Sequence, residues 1–232
     1  MRKLSIKTAV LATLVAGFSL VSCEKNEEES TPRIGLEFST VTTASSLKST
    51  KQETKMISFH SGFITLREIE FEVEVDDDSL EIDFNIEMNT VIDFASGETT
   101  PDISFAEIPA GTYNEMEVEI ELQDEGDNPS VVLNGTFIDA NGINHDIRFE
   151  FNSGETFEVE REGTVVFASN ESALAQITID PAAWFINVSS EQLSSATKDI
   201  NGIIVISETQ NPDIFDVVAD GLDLATEVEI EN

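Results

Sequence analysis

Polar and apolar residues alternate along most of this chain with a period of two. Leu66 opens one such run, and Ile69, Phe71, Val73 and Val75 then share one face, with Arg67, Glu68, Glu70, Glu72 and Glu74 mostly on the other. After Asp76-Asp77-Asp78-Ser79 the pattern resumes. Leu80, Ile82, Phe84, Ile86 and Met88 alternate with Glu81, Asp83, Asn85 and Glu87, and Val91, Ile92 and Phe94 prolong the arm to a break at Ser96-Gly97. Two alternating runs joined by a short polar link predict a β-hairpin. A third run carries Met116, Val118, Ile120 and Leu122 against Glu115, Glu117, Glu119 and Glu121.

Shorter strands are expected at Ile34–Phe38, Ile103–Ile108, Val131–Ile138, Ile147–Phe151, Phe157–Val159, Val165–Phe167, Ala173–Ile179 and Ile203–Ile206. Asn141-Gly142 marks a hairpin turn between two of them. Asp139, Asn141, Asn144 and Glu150 also echo a calcium loop, but the Ile147-Arg148-Phe149 alternation demands a strand there, so a turn is the better reading. Residues 42–55 are rich in Ser, Thr and Lys and read as a mobile loop. Near the end the pattern turns helical. Asp180 precedes a short turn at Pro181–Phe185, Ser189 or Ser190 caps a second at 189–196, and Asn211-Pro212 starts a helix over 211–225. Glu227–Asn232 reads as a last strand or a frayed tail. Many short strands with turns between them predict an all-β fold, an antiparallel Ig-like or jelly-roll-type β-sandwich with short helices near the C-terminus, in one domain over 34–232.

The first residues follow another rule. Arg2, Lys3 and Lys7 precede an uncharged stretch from Thr8 to Val21, shorter than the roughly 20 residues that span a bilayer and of the length of a secretory signal core. It ends in Leu20-Val21-Ser22-Cys23. Cys23 is the only cysteine of the 232 residues, so disulfides and thiolate metal sites contribute nothing to the fold. Glu24 to Arg33 reads as an acidic tether.

Charge narrows the partners. The chain has 46 acidic and 12 basic residues, a formal charge of −34, which becomes −37 if Arg2, Lys3 and Lys7 leave with a cleaved leader. Such a surface disfavours nucleic acid, whose phosphates need a basic footprint. It suits divalent cations or a basic protein partner. An apolar share of 40% with fifteen Phe is enough for a packed core, so the charge does not imply global disorder.

Ser-Cys at the end of the apolar run resembles the bacterial lipoprotein box. Ile108-Pro-Ala-Gly-Thr-Tyr113, Gly135-Thr-Phe with Asn141-Gly142, Ile179-Asp-Pro-Ala-Ala-Trp184-Phe and Ile206-Ser with Asn211-Pro-Asp resemble, in that order, a group of uncharacterised Bacteroidota outer-membrane lipoproteins. The resemblance spans roughly Ile57 to Glu229. It implies removal of residues 1–22, diacylation (palmitate or similar) of Cys23, and a β-sandwich with no known activity. Two acyl chains are the number that makes anchoring stable. Lys25 with Glu27, Glu28 and Glu29 resembles the signal that sends such proteins to the outer face of the outer membrane.

The candidate chemistry is sparse. Rows of glutamate on neighbouring strands would set like charges opposite one another, unless strands bearing Arg148 or Arg161 lie between them or a cation or basic partner covers them. Asp76, Asp77 and Asp78 form an acidic loop of oxygen donors that suits Ca²⁺. Ser79, in Asp78-Ser79-Leu80, matches an O-glycosylation pattern of exported Bacteroidota proteins. Trp184 and Tyr113 are the aromatic candidates for a sugar platform, though both sit in apolar strings. His60 and His145 are the only histidines, and no nucleophile or phosphate-binding motif accompanies them. The expected function is therefore a non-enzymatic binding or structural module of the cell envelope, lipid-anchored at Cys23 and facing the exterior. The alternative is an accessory protein that captures a glycan or a divalent cation.

Overall fold

The computed structural model describes residues 33–42, 45–48, 54–75, 81–103, 106–107, 110–154, 156–168, 172–222 and 226–231. Its strands are β1 (Arg33–Thr40), β2 (Ser45–Lys48), β3 (Thr54–Val75), β4 (Glu81–Asp93), β5 (Thr99–Thr100), β6 (Ala106–Glu107), β7 (Gly111–Leu122), β8 (Val131–Ile138), β9 (Asn144–Phe151), β10 (Thr156–Phe167) and β11 (Ser172–Ile179). Helices α1 (Pro181–Trp184) and α2 (Ser190–Ser195), strand β12 (Ile204–Ile206), helix α3 (Pro212–Ala219) and strand β13 (Thr226–Glu231) complete it.

Two sheets form. One has the order β13-β11-β1-β6, and the other runs β10-β7-β3-β8-β9-β12, with β2 and β4 on the opposite edge of β3 and β5 beyond β4. Leu36 and Phe38 from β1 and Ile177 and Ile179 from β11 share one core with Ile57, Phe59, Ile64, Leu66 and Ile69 of β3. The fold is all-β and sandwich-like. Most pairs are antiparallel, but β1–β11 and β9–β12 are parallel, so the sheets are mixed rather than purely antiparallel.

The 22-residue β3 is the spine. On one edge it pairs with β8 over Met56–Ile64 and with β7 over Leu66–Val75; on the other it pairs with β2 and then β4. Three register slips interrupt so long a strand, the last of them against β7 between Glu74 and Val75. Register slips against β8 between Phe59 and Ser61, and against both β4 and β7 between Leu66 and Glu68. Such bulges insert a residue and bend the strand. Gly62, at φ +137°, lies just past the first; a Cβ there would stand 1.9 Å from the Val132 carbonyl oxygen, so the close approach of β8 requires glycine.

Several expectations change. The Ser/Thr/Lys stretch 42–55 is not one loop, because it contains β2 and the start of β3, paired from Ser45↔Ile57 to Lys48↔Thr54. Cross-strand pairing overrides local composition there. The two strands expected at 157–159 and 165–167 are a single β10 with an irregularity between Glu162 and Val165. Helix α3 ends at Ala219, short of residue 225, and the C-terminal tail forms β13 beside β11.

The helical caps follow their chemistry. The Asp180 carboxylate accepts from the Ala182 amide at 3.1 Å, and Ser189 and Gln192 form a reciprocal capping box at α2. Asn211 precedes α3 as expected, but its amide leaves the helix: Nδ2 donates to the Val205 carbonyl at 2.6 Å and to that of Thr197 at 2.9 Å. Aromatic packing holds this end on the sheet. Phe149 of β9, fully buried, lies 5.9 Å from Trp184, 5.8 Å from Phe185 and 6.2 Å from Phe215 between ring centroids.

One pentapeptide turn occurs twice, as Asp139-Ala-Asn-Gly-Ile143 and Asp199-Ile-Asn-Gly-Ile203. In each, Asp Oδ1 accepts from the amides two and four residues on, at 2.9 Å in the first turn and 2.8 Å in the second. Gly142 and Gly202 take φ +78° and +84°, which glycine adopts without a steric penalty. Asp139 is thus engaged in closing a hairpin, as the turn reading expected.

Candidate functional site

The glutamate rows become neighbours. The register sets Glu68, Glu70, Glu72 and Glu74 of β3 opposite Glu87, Asn85, Asp83 and Glu81 of β4, and opposite Glu121, Glu119, Glu117 and Glu115 of β7. The β7 residues in turn stand opposite Thr156, Glu158, Glu160 and Glu162 of β10. Four strands and four rungs make sixteen positions, and fourteen are Asp or Glu. Residues paired in register share a face because the pleat repeats every two residues. This face is the outer one: the alternating partners Ile69, Val118 and Ile120 are buried in the core.

The sequence left open whether arginine strands separate these rows. They do not. Arg161 stands opposite Met116, one step out of register with Glu160 and Glu162. Arg148 lies in β9, opposite Asn134 and Val205, and its Nε is 2.7 Å from Glu150. Like charges directly opposite across a sheet are destabilising, by roughly 0.2–1 kcal/mol per pair.

One residue that counters them, among the described residues, was not singled out in the sequence. Against β7, Arg67 is the extra residue of the second bulge, at the end of the ladder near Glu68. Its Nη2 donates to Glu121 Oε1 at 2.5 Å and its Nη1 to Asp124 Oδ1 at 3.4 Å. The bond to Glu121, helped by the charges of Glu121, Asp124 and Glu68, raises the guanidinium pKa above its ordinary value against a smaller opposing effect of burial. On the other side of β3, Asn85 Nδ2 donates to Glu68 Oε1. Arg67, Glu68, Glu87, Met88 and Asn89 line a shallow open hollow at this end.

The other candidates fall into three groups. Cys23, Asp76, Asp77, Asp78 and Ser79 lie outside the described residues. Trp184 and Tyr113 are 2% and 1% exposed, so neither ring is available to stack on a sugar; burial also raises the Tyr113 pKa. Trp184 instead lines an apolar internal void of about 20 Å³, room for a single water at most. Third come the histidines, which are not brought together as a site. His60, exposed at the first bulge, approaches its neighbour Ser61 at 3.2 Å through Nδ1. His145 stacks on Phe137, and its Nε2 is 3.2 Å from Asp139 Oδ2 while Lys198 Nζ is 2.9 Å from its Nδ1. That chain ties the β8–β9 hairpin to the segment before β12.

Among the described residues no three His, Cys, Asp or Glu side chains are grouped to hold a metal ion. Comparison with protein-family models, curated proteins and solved structures finds no match to this chain.

Proposed function

We propose that this chain is an exported lipoprotein, anchored through Cys23 and displayed on the outer membrane, which acts without catalysis as a binding module. Its binding surface is the acidic face of β4, β3, β7 and β10, and its partner is basic: a cationic protein segment or divalent cations held diffusely along the rungs. The carrying observation is the run of fourteen acidic residues in sixteen register positions. A sheet needs no such density for solubility, and each opposed pair opposes folding. Salt at physiological strength shortens the reach of these charges to about 8 Å, yet adjacent strands lie nearer than that, at about 4.8 Å.

The apolar run ending at Leu20-Val21-Ser22-Cys23 supports the anchor, and the acidic residues after Cys23 support surface display. With Trp184 and Tyr113 buried, a sugar platform built on them has no support. The reading is tested on the full chain expressed with its leader. Mass spectrometry of the membrane fraction is expected to find a chain beginning at acylated Cys23, and decalysine is expected to bind it in a salt-sensitive way. A soluble chain that keeps residues 1–22, or one indifferent to decalysine at low salt, contradicts it.

A further inference from the structure

We propose that a hollow on the outer face of the larger sheet, floored by Phe63 and bounded by Arg148, binds a neutral sugar through one pyranose ring. It lies across the Arg67 bulge from the acidic ladder, and it stands whether or not that ladder binds a cation.

The floor comes first. Every other phenylalanine whose side chain is described is buried, whereas Phe63 is 38% exposed. Ile64 and Leu66 fill the core, so Phe63 and Thr65 occupy the outer face of β3. The register sets Val132 of β8 beside Phe63, and Glu150 of β9 beside Val132. Arg148 is two residues from Glu150 along β9 and so shares that face.

The wall is the loop from Gln123 to Ser130, pinned at both ends to one floor residue. The Gln123 amide donates to the Thr65 carbonyl at 3.0 Å, and the Thr65 amide donates to the Ser130 carbonyl at 2.7 Å. Midway, Asn152 Nδ2 donates to the Gly126 carbonyl at 3.3 Å. Gln123, Glu125 and Asn128 of this loop line an open hollow of about 440 Å³ with Phe63, Val132 and Arg148, within the size range of small-ligand sites. A wall fixed before the ligand arrives needs little ordering on binding.

Polar groups are left over inside it. Arg148 Nε is 2.7 Å from Glu150 Oε1 but off the N–H direction, and it makes no hydrogen bond. Its two Nη groups pair with nothing among the described residues. Gln123 Oε1 accepts from the Glu125 amide, which leaves its Nε2 as a donor. The hollow thus offers N–H donors from Arg148, Gln123 and Asn128, and acceptors from Glu125 and the Asn128 side-chain carbonyl.

The ligand class follows from that set. A pyranose carries C–H groups on one face, which the negative face of an aromatic ring attracts, and hydroxyls at its rim that both donate and accept. Glu125 and Glu150 disfavour an anion. A cation brings no acceptor for the Arg148 and amide N–H groups, and a purely apolar ligand would leave them unpaired.

Saturation-transfer NMR on the full chain in phosphocholine micelles tests this. The neutral probes are the methyl pyranosides of glucose, mannose and galactose, and N-acetylglucosamine; glucuronate is the charged control. At least one neutral probe is expected to bind, with saturation strongest on its ring C–H protons. Phe63→Ala and Arg148→Gln are each expected to weaken it by about tenfold or more, whereas Val166→Ala, at an exposed position of β10, leaves it unchanged. Thermal melts check that the variants fold; if Phe63→Ala does not, Asn128→Ala takes its place beside Arg148→Gln. No binding of any neutral probe, binding that survives both substitutions, or glucuronate bound more tightly than every neutral probe overturns the proposal.

Discussion

Glu119 stands opposite Glu70 on one side and opposite Glu158 on the other, at the second rung of a sheet face that is acidic across four strands. Replacing its charge relieves two opposed pairs at once. Glu119→Gln is expected to stabilise the fold by a few tenths of a kcal/mol to about 1 kcal/mol at low ionic strength. The gain is expected to shrink in 1 M salt, where screening acts within about 3 Å. Chemical denaturation at the two salt concentrations measures both.

Arg67 makes the opposite prediction. Its guanidinium bonds Glu121 and approaches Asp124, so Arg67→Met leaves the end of the ladder without that cation. The variant is expected to be less stable than the parent, and more dependent on added salt. A thermal melt that does not change with this substitution would show the bulge residue to be electrostatically idle.

The two repeated turns predict an acid dependence. Amides hold the carboxyls of Asp139 and Asp199 below the ordinary aspartate range, chiefly that of Ile143 for Asp139 and that of Ile203 for Asp199; partial desolvation opposes the shift, and His145 helps at Asp139. A depressed folded pKa means that the folded state binds the proton less readily than the unfolded chain. The stabilisation is thus fully present above the unfolded value near 3.9 and is lost as pH falls through the lower folded value. The stability gap between the parent and Asp139→Ala is expected to be constant from pH 7 to 5 and to close below about pH 4.

Asp180 has the reverse sign. Burial raises its pKa, only partly offset by the amides of Ala182 and Ala183. Its ionised form is the disfavoured one in the fold, so stability falls as pH rises through the folded value. Asp180→Asn keeps an oxygen acceptor for the Ala182 amide and carries no charge. It is expected to gain on the parent as pH rises from 3 to 8, measured by urea midpoints.

Phe149 is where the helical end meets the sheet. Its ring contacts Phe151, Trp184, Phe185 and Phe215. Phe149→Ala is expected to destabilise by about 3–5 kcal/mol, with hydrogen exchange rising first in α1 and α3.

How much of this was legible in the sequence follows from the range of the forces involved. Alternation is local, so the arms carrying Glu68–Glu74 and Glu115–Glu121 were visible, as were the caps at Asp180 and Ser189. Strand partners are not local. Nothing near Glu70 announces that Glu119 is its neighbour, nor that β1 pairs in parallel with β11, more than a hundred residues on. The bulges at His60 and Arg67 hid the spine, because each inserted residue shifts the alternation and makes one strand read as fragments. Arg67 was missed for the same reason: out of phase, it looked like one more polar residue among the glutamates. Trp184 and Tyr113 came from apolar strings, and burial follows that context rather than the aromatic ring.

The most direct test of the binding face compares two triple variants of the full chain that lose the same charge. Glu68→Gln/Glu119→Gln/Glu121→Gln removes three ladder charges from two adjacent rungs, whereas Glu37→Gln/Glu98→Gln/Glu125→Gln removes three exposed acids elsewhere. Calorimetric titration with decalysine at 50 mM and 150 mM salt is the measurement. The account predicts at least a tenfold loss of affinity for the ladder variant and less than a threefold loss for the other. Equal losses would mean that decalysine senses only net charge, and would contradict a binding site on this face.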